Sequence, residues 1–145
     1  MTEITDQLNA ILGQENFITD PDECIYFSQD VYCAAPHVTE GIIRPGNIDE
    51  LAGAVKAVTA AGYSLFPRGG GVSYTGGYLP TTGKSITIDM TRMGRILEIN
   101  AQDMYVTVEA GCRWADLYEA LKDTGLRTPF WGTLSGISAT VGGSL

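Results

Sequence analysis

Phe66-Pro67-Arg68-Gly69-Gly70-Gly71-Val72-Ser73-Tyr74-Thr75-Gly76-Gly77 is the stretch on which the fold of this chain turns, with five glycines, one arginine and three hydroxyl side chains in twelve residues. Consecutive glycines permit positive φ and leave no Cβ on the concave side, so several backbone N–H groups can converge on one anion such as a pyrophosphate. Arg68 and the hydroxyls of Ser73 and Thr75 add charge and donors. The other reading of such a stretch is a flexible connection without a ligand.

Outward from the loop, Tyr63 to Phe66 reads as a strand. Before it, Ile48, Leu51, Ala52, Val55 and Val58 follow the i, i+3, i+4, i+7 template of a helix. Asn47 and Glu50 form its capping-box start and Gly62 its stop. Gly41 to Arg44 is an earlier short strand ended by Pro45. Strand, helix, strand makes a βαβ unit, and the loop leaves the carboxyl end of its second strand, where open α/β sheets bind ligands. Thr2 to Glu15 reads as an amphipathic helix, and Thr19 to Pro36 as an extended lead-in with Asp20, Asp22 and Glu23 in a solvated turn. Beyond the loop, Ser85 to Met90 alternates as a strand, and Arg95 to Asn100 with Met104 to Ala110 reads as a hairpin, at which the sheet turns antiparallel. A second helix from about Trp114 to Thr124 places Trp114 and Tyr118 at core spacing, with Glu109 before it as a solvated carboxylate. Arg44 is expected to pair with the acidic surface, and His37 to lie in the lead-in without a titratable cluster. The expected division is 1–36 as helix and lead-in and 37–145 as the ligand-binding domain.

The chain has 145 residues, is 44% hydrophobic and 18% charged, and carries a net charge of −8. That is globular composition, and the acidity speaks against a nucleic-acid partner. Anion binding must therefore be local to the loop. Cys24, Cys33 and Cys112 are odd in number and lack a CxxC pair, so neither a disulfide framework nor a zinc site is expected. No basic n-region with an apolar run and no apolar stretch of spanning length is present, which leads to the expectation of a cytoplasmic protein with no transmembrane segment.

Known phosphate cradles fit poorly. GxGxxG would need a glycine at position 74, which is Tyr, and the Walker A spacing of Gly71 and Gly76 is followed by Gly77-Tyr78 instead of Lys-Ser or Lys-Thr. The nucleophile elbow at Gly71 to Thr75 lacks its closing glycine. Three blocks instead carry a likeness. The first is Arg44-Pro45-Gly46 with Asp49-Glu50, followed by Phe66 to Gly71. The second is Val106 to Gly111 with Trp114-Ala115-Asp116-Leu117, and the third is Ser138-Ala139-Thr140-Val141-Gly142-Gly143. In this order the chain resembles the vanillyl-alcohol oxidase and p-cresol methylhydroxylase flavoproteins, from roughly Phe27 to its last residue.

The resemblance implies an α+β fold of the p-cresol methylhydroxylase type, a small βαβ lobe followed by the start of a second, mixed or antiparallel lobe. It implies FAD, with Pro67, Arg68, Gly69, Gly70, Gly71, Val72, Ser73, Gly76 and Gly77 at the pyrophosphate. Ser135, Gly136, Ser138, Ala139, Thr140, Gly142 and Gly143 would lie at the flavin and ribityl region. Some members attach FAD through a histidine after the three glycines; Val72 stands there, so the cofactor is expected to be non-covalent. The lead-in and loop look most like the branch oxidising 2-hydroxy acids such as glycolate or D-lactate. No catalytic residue is assigned, because the family's substrate and base residues lie largely in a later domain. The C-terminal part of the domain is expected to be absent, with a partner subunit or longer parent chain completing the site and a small molecule as substrate. The alternatives are a non-catalytic module binding a nucleotide or phosphometabolite, and an interaction domain with purely structural glycines.

Overall fold

The computed structural model describes residues 2–145. Helix α1 (Thr2–Leu12) and helix α3 (Ile48–Ala60) cover one face of a four-stranded sheet. The sheet consists of β1 (Phe17–Ile18), β2 (Ile42–Ile43), β3 (Ser64–Arg68) and β4 (Ser85–Asp89), in the order β1-β2-β4-β3. The core between helices and sheet contains Ile4, Leu8, Leu12, Phe17, Ile43, Ala54, Val58, Ile86 and Ile88. Each fully buried aliphatic side chain of this kind contributes roughly 1.5–3 kcal/mol. The opposite face holds a smaller cluster of Cys24, Phe27 and Ile42.

Helix α3 starts as its sequence indicates. Asn47 Oδ1 accepts the Glu50 amide at 2.9 Å, while the Glu50 carboxylate reaches back to the Gly46 amide at 2.7 Å. It stops at Gly62, whose φ of 74° suits the residue after a helix. β2, α3 and β3 form the expected βαβ crossover, but β2 and β3 are not neighbours: β4 inserts between them, parallel to both. From β2 to β4 the chain therefore remains parallel. β4 is buried on both faces, so the alternation Ser85-Ile86-Thr87-Ile88 separates two interior environments. Pro67 is tolerated because β3 is an edge strand.

The lead-in corrects one expectation. Pro21–Phe27 is helix α2, capped by Asp20, whose carboxylate accepts the amides of Asp22 at 3.1 Å and Glu23 at 3.0 Å. Asp-Pro followed by two acids is an N-terminal helix signal, with proline preset at the first position. β1 already pairs antiparallel with β2 at the edge of the first sheet, and the expected hairpin forms a separate two-stranded antiparallel sheet of β5 (Ile96–Asn100) and β6 (Tyr105–Val108). Helix α4 (Trp114–Leu121) packs on it through Leu117 and Leu121, beside Cys112. Tyr118 departs from its core expectation: it is exposed and packs against Trp131, with ring centroids 4.8 Å apart. Glu109 departs as well. It is buried, and its carboxylate accepts Arg95 Nη2 at 2.6 Å, Nε at 3.0 Å and the Arg95 amide at 2.8 Å. Arg44 pairs with the buried Asp89 at 2.9 Å and with Glu23 at 3.7 Å.

Candidate functional site

The loop leaves β3 beside the carboxyl end of β4 and meets the C-terminal segment face to face. A Cβ at Gly70 would lie 1.7 Å from the Ser138 carbonyl oxygen, and one at Gly69 would lie 2.1 Å from Thr140 Oγ1. Only glycine permits these approaches. The C-terminal segment is in turn zipped to the chain preceding α4. The Trp114 amide donates to the Ala139 carbonyl at 3.1 Å, the Val141 amide to Cys112 at 2.8 Å and the Gly142 amide to Ala110 at 2.9 Å. The loops of the two lobes are thus brought together by backbone contact.

Between them lies a cavity of about 350 Å³, within the range of small-molecule sites. It is lined by Gly69, Gly70, Gly71, Val72 and Ser73 from the first loop, and by Ala139, Thr140 and Gly143 from the second. Tyr74, Thr75, Tyr78, Phe130, Thr133 and Ser144 complete the wall. Of the described residues, none that lines it carries a charged side chain. Among the described residues, the amides of Gly70, Gly71 and Val72 donate to no protein acceptor. Free amides along a glycine turn, with hydroxyls opposite, suit the diphosphate of a dinucleotide. Gly71 has a φ of 70°, the kind of conformation that lets successive amides converge.

Arg68 is not in the cavity. It is 5% exposed and runs beneath the loop, with its guanidinium over the rings of Phe27 (4.6 Å), Tyr78 (5.0 Å) and Tyr26 (5.2 Å). It donates to the Tyr26 carbonyl at 3.2 Å and the Gln29 carbonyl at 3.4 Å. A Cβ at Gly71 would collide with it at 2.3 Å. The expectation of an arginine donating directly to the anion gives way to one that supports the loop from behind, because the aromatic rings and carbonyls satisfy the guanidinium there.

The remaining sequence candidates are spread around the cavity. Pro67, Arg68, Gly69 and Gly142 border a neighbouring cleft with Leu51, Val55 and Met90. Ser138 and Gly70 face another, with Arg92, Arg95 and Arg113. Ser135 lies beside Tyr118 and Trp131, outside the cavity. Gly136 is buried against the Trp114 Cβ. Gly76 and Gly77 close the far end of the loop without lining the cavity. Tyr78, Phe130, Thr133 and Ser144 were not identified from sequence; Phe130 is placed by its edge-to-face contact with Trp114 at 5.2 Å, which no local pattern announces.

The FAD binding domain family matches residues 39–145. Across its length the chain is 31% identical over 143 residues to the mitochondrial D-lactate dehydrogenase [cytochrome] of Arabidopsis thaliana, covering 97% of this chain and 24% of that protein. It is 28% identical over 143 residues to a glycolate oxidase subunit of Bacillus subtilis, covering 99% of this chain and 30% of the subunit. The chain thus spans about a quarter to a third of these relatives. The fold matches substrate-bound p-cresol methylhydroxylase with a TM-score of 0.75 at 18% identity, over 86% of this chain and 25% of that one. No helix among the described residues is long and apolar enough to cross a membrane.

Proposed function

The chain belongs to the FAD binding domain family, and on that premise we propose that it forms the cofactor-holding part of a flavin-dependent oxidoreductase acting on a small 2-hydroxy acid. The observation that carries the cofactor assignment is the pair of interlocked loops, with the unpaired amides of Gly70, Gly71 and Val72 on the wall of their shared cavity. The substrate class rests on the relatives named for lactate and glycolate, both 2-hydroxy acids. Bound FAD would supply the hydride acceptor.

The chain's own contribution is holding and orienting. The first loop would receive the diphosphate on its amides, while Ser73, Thr75 and Thr140 offer hydroxyls that rotate to donate or accept. Phe130 and Tyr78 supply apolar wall, and Arg68 contributes positive potential through the loop without occupying it. The valine at position 72 offers no nucleophile, so the cofactor is held without a covalent bond there.

The test is the visible absorbance of the purified chain, before and after acid precipitation and after adding FAD to colourless protein. A flavin spectrum released into the acid supernatant supports the reading. Absence of flavin, with no spectral change or thermal stabilisation on adding FAD, refutes it. Binding of ADP without any flavin response would favour a nucleotide-binding module.

A further inference from the structure

The glycine-rich loop is held by a segment outside the 39–145 stretch that matches the FAD binding domain family. Asp30, partly buried in the turn after α2, accepts the amides of Tyr32 and Cys33 on Oδ1, both at 2.7 Å. Its other oxygen, Oδ2, reaches 46 residues along the chain to accept the Gly76 amide at 2.8 Å. The adjacent Val31 amide donates to the Ser73 carbonyl at 3.3 Å. Arg68 is seated on the carbonyls of Tyr26 and Gln29 from the same segment. The loop is therefore fixed at its start, middle and end by residues 26–31. We propose that Asp30 is a positioning residue of the cofactor site, its carboxylate pinning Gly76 so that the preceding amides stay turned toward the cavity.

The inference rests on the FAD reading above. Three amide donors on one carboxylate favour its ionised form. The Cys33 amide, followed by those of Tyr32 and Gly76, holds the Asp30 carboxyl below its usual range. The titratable and charged groups near it are the Cys33 thiol on its own turn, Tyr26 at the end of α2, Tyr78 after the loop and Arg68 on β3. Thiols, phenols and guanidinium titrate above the carboxylate range, so an acidic transition at Gly76 reports on Asp30.

Asp30→Asn is a selective probe. Its single carbonyl oxygen can keep the local turn by accepting from Tyr32 and Cys33, which leaves an N–H₂ facing the Gly76 N–H, donor against donor. Fluorescence titration of FAD into wild-type and D30N chains should show affinity reduced about tenfold or more in the variant, as expected for loss of a charged hydrogen bond. The ligand-free protein should still melt cooperatively, at a temperature somewhat lowered by loss of the same bond. In wild-type protein without ligand, the amide signals of Gly70, Gly71 and Val72 in ¹H–¹⁵N NMR should move together with that of Gly76 through one acidic midpoint below the ordinary aspartate range, a linkage that a turn with a purely structural role would not produce. Equal FAD affinities, or amides of Gly70 to Val72 that stay fixed between neutral and acidic pH, would overturn the assignment of Asp30 alone. A wild-type chain that takes up no FAD would overturn the functional reading and this inference with it. If D30N does not fold, the wild-type NMR titration still decides.

Discussion

Two glycine-rich segments build the candidate site, and they are held in opposite ways. The segment 66–77 grows out of β3, whose five paired residues continue directly into it, and positive φ occurs there only at Gly71 and Gly76. Its shape is imposed from behind by Arg68, Asp30 and Val31, and the amides of Gly70 to Val72, residues that line the cavity, have no protein acceptor. The segment 132–143 has no preceding strand. It is shaped by pairing with 110–114 and by contact with Trp114, and it carries positive φ at Leu134 and Ser135 as well as at two glycines. Glycine content alone made the two segments look alike. One is a donor array braced by the lobe with the larger buried core, whereas the other is a collar with positive φ at two non-glycine residues, on a lobe whose buried core is Cys112, Leu117 and Leu121.

Several substitutions would break or sharpen that contrast. The largest effect is expected from Gly70→Ala, whose Cβ would sit 1.7 Å from the Ser138 carbonyl. Forcing the loops apart should cost about 3 kcal/mol in denaturant unfolding and abolish FAD binding. Gly77→Ala is its control. The nearest atom there is Thr75 Oγ1 at 3.5 Å and φ is not positive, so stability should be unchanged or slightly raised. Arg68→Ala follows in size: two carbonyls and three aromatic faces lose their buried partner, for a loss of about 2 kcal/mol measured by chemical denaturation. Leu134→Gly probes the collar. Leu134 is exposed with a φ of 52°, and relief of that conformation should outweigh the added chain entropy by about 0.5 kcal/mol in thermal unfolding.

The smallest expected effect is a pH dependence in the second lobe. The side-chain hydrogen bonds of Arg95, followed by its backbone amide, hold the Glu109 carboxyl below the usual glutamate range. A depressed folded pKa adds stability above the unfolded value, and that stability is lost as pH falls through the folded value. Thermal melts from neutral to acidic pH should show this loss in wild-type protein and less of it in Glu109→Gln.

Local chemistry made much of this legible. The capping residues of α3, the hairpin and the first loop all follow from short-range rules that tertiary packing did not override. Other features needed three dimensions. The insertion of β4 between β2 and β3 is a topological choice that strand patterns do not encode. Arg68 read as a ligand group because charge beside glycines suggests an anion; only packing against Tyr26, Phe27 and Tyr78 reveals that it faces away. Helix α2 is signalled by Asp20-Pro21-Asp22-Glu23, and the scattered aromatics and prolines of 19–36 mask that signal. Asp30 acts across 46 residues, a separation at which sequence alone offers no signal.

The most direct test of the central claim, that the amides of the first loop receive a diphosphate in the cavity between the loops, is competition between FAD and ADP for the wild-type chain, followed by fluorescence and repeated with Gly70→Ala. The account predicts saturable FAD binding that ADP displaces and riboflavin displaces far less, with both diphosphate ligands lost in the variant. Wild-type protein that ignores FAD, or a Gly70→Ala chain that binds FAD and ADP as tightly as wild type, would contradict it.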